Sequence, residues 1–347
     1  MRMLFVTVFA AFCCLISDFV SAAVELKIVT ASPRGTYIQI GRDLASFVAP
    51  SADVDLEVLP SAGSAENVRR LRYEPGVKFA IVQSDVYQAY LDEAARGNSE
   101  AAEIIKPLRV IMPLYNEEIY FIARADSDLN FVHEIRDARI SAGELGSGTA
   151  LTTATLYRLM FNRSLPQATT FLSNEAGLRS LVTDKTVDVV AIIAGQPAKV
   201  LSDMQPGAAQ LIKLLRFDAN QPASRAALRS YFPASVRAAN YPNLLTEDLP
   251  ALAVKAFLVT YDYKLKQTQD TVAKFARSLC QNFSLLQAKG HPKWSEVPLS
   301  LPELGRGWLY YPPATRELRT CISASPKSGN ERPGACTMQE RILGLCS

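Results

Sequence analysis

Residues 54–85 read VDLEVLPSAGSAENVRRLRYEPGVKFAIVQSD and contain the unit from which this chain is built. Apolar and acidic residues alternate over Val54–Val58, the period-two pattern of a half-exposed strand. A turn follows, and Ser64 offers an N-cap for a helix whose apolar residues recur at helical spacing. The wholly apolar run Phe79–Val82 then predicts a short buried strand. A strand, a helix and a strand in direct succession indicate a parallel sheet covered by helices.

The same unit recurs on both sides of this stretch. Further strands are predicted at Leu26–Ala31, Ile119–Ala123, Arg139–Ala142, Thr169–Leu172 and Val187–Ala194. Helices are predicted from about Tyr37 to Val48, around Ala176–Leu181, and as one long apolar-striped helix through Val272–Leu286. Two blocks with this rhythm predict two α/β lobes with a cleft between them.

The length of 347 residues exceeds what one hydrophobic core supports comfortably. We predict a signal peptide at 1–22, the first part of lobe 1 at 23–114 and lobe 2 at 115–245. The chain then returns to lobe 1 over 246–318. A disulfide-tethered tail follows at 319–347.

The N-terminus has the pattern of an export signal. Arg2 precedes the apolar run Met3–Ile16, and small residues end at Ala22, where we place cleavage. The run is too short to span a bilayer, which needs ~20 residues. A lipid anchor on Cys13 is the alternative, although the residues before it make a poor lipobox. We therefore predict a periplasmic protein.

Export changes the interpretation of the cysteines. Removal of the leader leaves Cys280, Cys321, Cys336 and Cys346, an even number in an oxidising compartment. They allow three pairings, which the sequence does not distinguish. A zinc site is disfavoured because there is no Cys-x-x-Cys pair and the chain has only two histidines. Structural disulfides that hold the tail are the preferred interpretation.

Composition and motifs argue against several classes of function. A formal net charge of +3 gives no support for nucleic-acid binding, which needs clustered Lys and Arg. The chain has no phosphate-binding loop of the Gly-x-x-x-x-Gly-Lys type and no Gly-x-Ser-x-Gly elbow. We therefore predict a binding protein that is not an enzyme, with no cofactor and no metal.

Four loops that lead into predicted helices are rich in Gly or hydroxyl residues, namely 34–37, 61–64, 83–85 and 146–149. Free backbone N–H groups and the helix dipole at such positions suit an anion. Helix capping alone explains any single loop. Together, in two lobes that flank a cleft, the four loops favour a binding site for a small acidic molecule.

The order of several motifs resembles the TAXI-type solute receptors of TRAP transporters, which have a type II periplasmic-binding fold. The resemblance runs from about Leu26 to Leu318. It is carried by Gly35–Gly41, Ser61–Asn67, Phe79–Asp85, Leu114–Asp126, Gly146–Thr149, Gly195–Pro197 and Ala253–Thr260.

The resemblance implies a small dicarboxylate or amino acid, such as glutamate or 2-oxoglutarate, held between the lobes and delivered to a TRAP-type permease. We predict that the protein is a monomer. By position, the implied cleft residues are Thr36, Tyr37, Ser84, Tyr115, Ser147, Thr149 and Gln196. Arg34 stands where the family usually has Gly. It is either a surface residue or a guanidinium that pairs with a ligand carboxylate.

The C-terminal tail departs from the family pattern and keeps a second function open. In that alternative, the chain is a periplasmic sensor or adaptor that passes a closed conformation to a signalling partner. Both functions expect the two lobes to close on a ligand.

Overall fold

The computed structural model describes residues 23–33, 35–304 and 307–324. The predicted signal peptide, Arg34 and the cysteines Cys336 and Cys346 lie outside the described residues, as does most of the tail.

The described residues form nine strands that share one sheet. The strands are β1 (Val24–Val29), β2 (Val54–Leu59), β3 (Val77–Gln83), β4 (Leu108–Arg124), β5 (Ile140–Ser141), β6 (Val189–Ala194), β7 (Ile212–Leu214), β8 (Phe232–Val236) and β9 (Leu249–Tyr261).

The α-helices of the first half are α1 (Thr36–Asp43), α2 (Ser64–Tyr73), α3 (Val86–Ala95), α4 (Ser99–Ile105), α5 (Gly148–Phe161) and α6 (Asn174–Val182). Those of the second half are α7 (Lys199–Ser202), α8 (Pro206–Ala209), α9 (Pro222–Ala227), α10 (Lys266–Gln281), α11 (Phe283–Lys289) and α12 (Pro312–Ala324). A π-helical segment, Leu44–Val48, prolongs α1, and short 3₁₀ turns include Pro292–Glu296. Among the described residues, no helix combines the length and the apolar character that crossing a membrane requires.

The sheet divides into two halves that share two long strands. The order is β2-β1-β3-β9-β4-β6-β5, with β7 added to β4 and β8 added to β9. In lobe 1, β1 is parallel to β2 and β3, as the strand–helix rhythm predicts. In lobe 2, β6 is parallel to β5 but antiparallel to β4. The α/β fold with two lobes is therefore confirmed.

The strands β4 and β9 are antiparallel and run through both lobes. Leu108–Pro113 pairs with the end of β9 in lobe 1, and Asn116–Ile119 pairs with its beginning in lobe 2. The register shifts between Pro113 and Asn116, and also between Val110 and Met112. The shift between Pro113 and Asn116 lies where the two lobes meet, so the pair forms the connection about which the lobes can move.

Helices cover both faces of each half of the sheet. In lobe 1, Phe79 of β3 packs on Phe275 of α10 with ring centroids 4.4 Å apart, and Val68 of α2 is buried on the opposite face. In lobe 2, Leu156 of α5 and Leu181 of α6 occupy the two opposite cores. Each fully buried side chain of this kind stabilises the fold by roughly 1.5–3 kcal/mol.

Three sequence predictions of local structure differ from the structure. The predicted long helix through Leu286 is broken at Asn282, which ends α10 and precedes α11. The predicted strand Thr169–Leu172 is reduced to a single bridge between Thr170 and Ser141. Ser64 does not cap α2, because its hydroxyl accepts a hydrogen bond from the Gln83 N–H at 3.0 Å.

One of the predicted disulfides lies within the described residues. Cys280 of α10 is bonded to Cys321 of α12, and the two cysteines are 41 residues apart in sequence. Both helices belong to lobe 1, so the bond fastens the C-terminal helix to the core of one lobe. This pairing is one of those that the sequence left open.

Candidate functional site

A cleft of about 700 Å³ lies between the two lobes. Lobe 1 contributes the loop before α1, the start of α2 and the end of β3. Lobe 2 contributes the starts of α5, α6 and α7 together with the end of β6. This volume is in the range of small-molecule sites, which run from roughly 300 to 1,000 Å³.

Four helices of at least two turns begin at the wall of the cleft. The residues at their starts that line it are Gly35 and Thr36 (α1), Gly63 and Ser64 (α2), Ser147 to Thr149 (α5), and Ser173 to Glu175 (α6). The first N–H groups of a helix have no partner inside the helix, and the dipole places partial positive charge there. The arrangement favours a negatively charged group in the cleft.

Two glycines allow close packing around the start of α5, which forms part of the cleft wall. Gly143 has a φ of +84°, and a Cβ atom there would lie 2.6 Å from the Cβ of Thr149. A Cβ atom at Gly148 would lie 2.0 Å from Oε1 of Gln83 in lobe 1. Only residues without side chains fit at these two positions. Gly143 lets the loop before α5 pack against Thr149, and Gly148 lets α5 approach lobe 1 closely.

A buried carboxyl group lies at the base of the cleft. Glu117 of β4 is 4% exposed, and its Oε2 accepts a hydrogen bond of 2.6 Å from the Tyr37 hydroxyl. Burial raises the pKa of Glu117 to about 8, against the effect of the hydrogen bond from Tyr37. The group is therefore mostly protonated at neutral pH and can donate a hydrogen bond into the cleft.

The mouth of the cleft carries charges of both signs. Arg42 of α1 and Lys199 of α7 are exposed residues of its lining and come from opposite lobes. Neither forms a salt bridge with another residue in the part of the chain that the structure describes. Glu144 and Asp203 add acidic groups to the lining, as does Glu175.

Four of the residues named from the sequence are brought together in this cleft: Thr36, Tyr37, Ser147 and Thr149. Their roles are not equal. The Ser147 hydroxyl caps α5 by accepting from the Ala150 N–H at 3.0 Å, and the Tyr37 hydroxyl is engaged with Glu117. Thr36 and Thr149 keep hydroxyls that a ligand can reach.

The structure places Ser84, Tyr115 and Gln196 outside the lining of the cleft. The Ser84 backbone is held inside lobe 1, where its carbonyl accepts from the Trp308 indole N–H at 2.8 Å. Tyr115 is 1% exposed within the core of lobe 1. A ligand contact from either residue therefore stays a prediction.

Gln196 is a structural connector in lobe 2. Its side-chain N–H donates to Oε1 of Glu118 at 3.0 Å, and its Oε1 accepts from the Arg237 N–H at 2.9 Å. With those contacts made, its amide has little capacity left for a ligand. The neighbouring residues Pro197 and Ala198 line the cleft in its place.

Sequence reasoning missed Arg42, Lys199 and Glu117. Thr36, Gln39 and Arg42 recur at a spacing of three along α1 and all line the cleft, so helical periodicity could have indicated Arg42. Lys199 follows the Gly195–Pro197 motif by two residues. Glu117 carried no such signal, because an acidic pair inside a strand is more typical of an exposed face.

Two α/β lobes joined by a pair of long strands around a polar cleft make an architecture suited to enclosing a small molecule. The sequence matches the NMT1-like family over residues 28–300, and the chain belongs to that family.

Several solved structures are similar in fold at low sequence identity. The periplasmic binding protein BugD matches with 13% identity and a TM-score of 0.47, over 78% of this chain and 85% of that one. A TctC solute-binding protein from Polaromonas matches with 15% identity and a TM-score of 0.40, over 75% and 85%. The CcmR regulatory domain of Synechocystis, in complex with 2-PG, has 14% identity and a TM-score of 0.42, over 72% and 95%.

Proposed function

We propose that this chain is a periplasmic solute-binding protein of the TAXI type that captures a small carboxylate and delivers it to a TRAP-type permease. The proposed ligand is a dicarboxylate or an amino acid, such as 2-oxoglutarate or glutamate. The ligand lies between the lobes, with its carboxylate groups directed towards the helix starts and the cations of the lining.

The observation that carries this proposal is the pair of cations contributed by opposite lobes. Arg42 and Lys199 line one cleft and have no ion-pair partner among the described residues. A carboxylate ligand would supply the missing counter-charge for both lobes at once. It would thereby favour the closed arrangement.

The helix starts support the same ligand class. The first turn of α5 offers backbone N–H groups and the Thr149 hydroxyl, and the first turn of α1 offers the Thr36 hydroxyl. Glu117 supplies a further contact at the base of the cleft. When protonated it donates to a ligand carboxylate, and when ionised it accepts from the ammonium group of an amino acid.

The test is isothermal titration calorimetry with glutamate, 2-oxoglutarate and other small acids, on the wild type and on Arg42→Ala and Lys199→Ala. A hydrogen bond to a charged group contributes roughly 1.5–3 kcal/mol, so each variant is expected to bind about 10- to 100-fold more weakly. Lys106→Ala is the control, since Lys106 is an exposed cation of lobe 1 that does not line the cleft.

The proposal of a carboxylate ligand is overturned if no acid binds, or if both cleft variants bind an acid as tightly as the Lys106→Ala control does. Delivery to a permease is tested separately by the neighbourhood of the gene. A TRAP permease encoded beside it supports transport, whereas a histidine kinase there supports the sensor alternative.

A further inference from the structure

A group of polar side chains joins the lobes at a place that is not part of the cleft. Asp85 precedes α3 in lobe 1, and Oδ2 of its carboxyl group accepts two hydrogen bonds from lobe 2. The Thr152 hydroxyl of α5 donates at 2.7 Å, and the Tyr231 hydroxyl donates at 2.8 Å. None of the three residues lines the cleft.

These three side chains are withdrawn from water when the lobes are together. Asp85 is 4% exposed, Thr152 0% and Tyr231 2%. The second carboxyl oxygen, Oδ1, has no hydrogen-bond partner among the described residues. The carboxyl group therefore depends on the two hydroxyls of the opposite lobe.

Further contacts join lobe 1 to lobe 2 outside the cleft. Arg158 of α5 forms an ion pair with Asp92 of α3, and the Glu66 N–H donates to the Gly146 carbonyl at 3.2 Å. Neither Arg158 nor Asp92 lines the cleft. These particular contacts between the lobes are made by side chains and backbone that do not line the cleft.

The energetics of this contact differ between the closed and open arrangements. When the lobes separate, water can hydrate Asp85 and both hydroxyls. When they close, the carboxyl group loses that water and the two hydrogen bonds offset the loss. Deleting one donor therefore penalises the closed arrangement alone, because the open arrangement satisfies Asp85 with water in either case.

We propose that Asp85, Thr152 and Tyr231 form an interlobe latch that sets the ratio of closed to open protein. The latch tunes solute affinity from outside the cleft, because the apparent dissociation constant rises as the binding-competent fraction falls. The proposal goes beyond the carboxylate function, since it concerns the closure equilibrium and holds for any solute.

Small-angle X-ray scattering of the dialysed protein, with no solute added, tests the latch. The wild type is expected to contain a substantial closed fraction without solute, which a bound solute raises further. Tyr231→Phe and Thr152→Val each remove one hydrogen bond, which corresponds to about a fivefold fall in the closed-to-open ratio. The double variant is expected to show the largest radius of gyration. Thr152→Ser, which keeps the hydroxyl, is expected to restore compact scattering.

Tyr261→Phe is the matched control. Tyr261 is also a buried tyrosine, but its hydroxyl donates to the Ile104 carbonyl at 2.8 Å within lobe 1. Its loss lowers stability without opening the lobes. The latch is overturned if the double variant stays as compact as the wild type, or if the Tyr261→Phe control expands as much as the double variant. These measurements use no solute, so their failure is separate from a failure of the carboxylate titrations.

Discussion

Replacing Glu117 by Gln is expected to change how the stability of the protein depends on pH. Glutamine has nearly the shape of a protonated glutamate and still accepts the hydrogen bond that Tyr37 donates at 2.6 Å. The variant therefore mimics the neutral wild type. The difference in stability between the two proteins therefore changes with pH only where the folded protein holds a proton that the unfolded chain has released.

Burial raises the pKa of Glu117 from its ordinary 4.5 to about 8 in the folded protein. Below pH 4.5 both states bind the proton, so the full contribution of the neutral group is present. Between the two values only the folded state binds it, and stability falls by about 1.4 kcal/mol per pH unit. Above the folded-state pKa the loss is complete. The Glu117→Gln variant lacks this contribution to the pH dependence of the free energy of unfolding.

The free energy of unfolding of both proteins is measured by urea titration at about pH 5, 6, 7 and 8, which spans the range between the two pKa values. The difference in free energy of unfolding is expected to move in favour of Glu117→Gln by about 1.4 kcal/mol per unit as pH rises. Glu100→Gln is the control, because Glu100 is an exposed residue of α4. A Glu117→Gln difference that stays constant with pH would refute the neutral, buried state of this carboxyl group.

Two further substitutions test the structure. Replacing Cys280 by Ser opens the 41-residue loop that the bond to Cys321 closes, and it is expected to lower the free energy of unfolding by about 4 kcal/mol. Equal stability of the wild type under oxidising and reducing conditions would contradict this expectation. Gly143→Ala introduces a Cβ atom 2.6 Å from Thr149 at a residue with a φ of +84°, so we expect a lower melting temperature and at least tenfold weaker solute binding. Gly97→Ala is its control, since a Cβ atom at Gly97, also at positive φ, meets nothing within 4 Å.

Much of the fold follows from local patterns, and the exceptions have physical causes. The strand–helix rhythm around Val54–Val58 and Phe79–Val82 predicts the parallel half of lobe 1. Burial alternates along β2 and is nearly continuous along β3, as the residue patterns of the two strands predict. The strand β4 was predicted only in part, over Ile119–Ala123. Pro113 and the polar run from Asn116 interrupt its apolar pattern, yet both lie inside the strand because two lobes bury it from both sides.

The candidate site was predicted less completely than the fold. Loops that precede helices indicated Thr36 and Thr149, because helix starts and ligand sites use the same residue types. The same logic selected Ser84, which does not line the cleft. Contacts between distant segments, such as that of Tyr37 with Glu117, depend on the tertiary arrangement and have no local signature.

Because both lobes contain parts of β4 and β9, the chain cannot be cut into two fragments that each hold a complete lobe. Each of these strands hydrogen-bonds with lobe 1 over one part and with lobe 2 over the other. A fragment cut near Leu114 would expose unpaired backbone along a hydrophobic sheet edge in both pieces. Neither lobe is therefore expected to remain folded when it is expressed without the other.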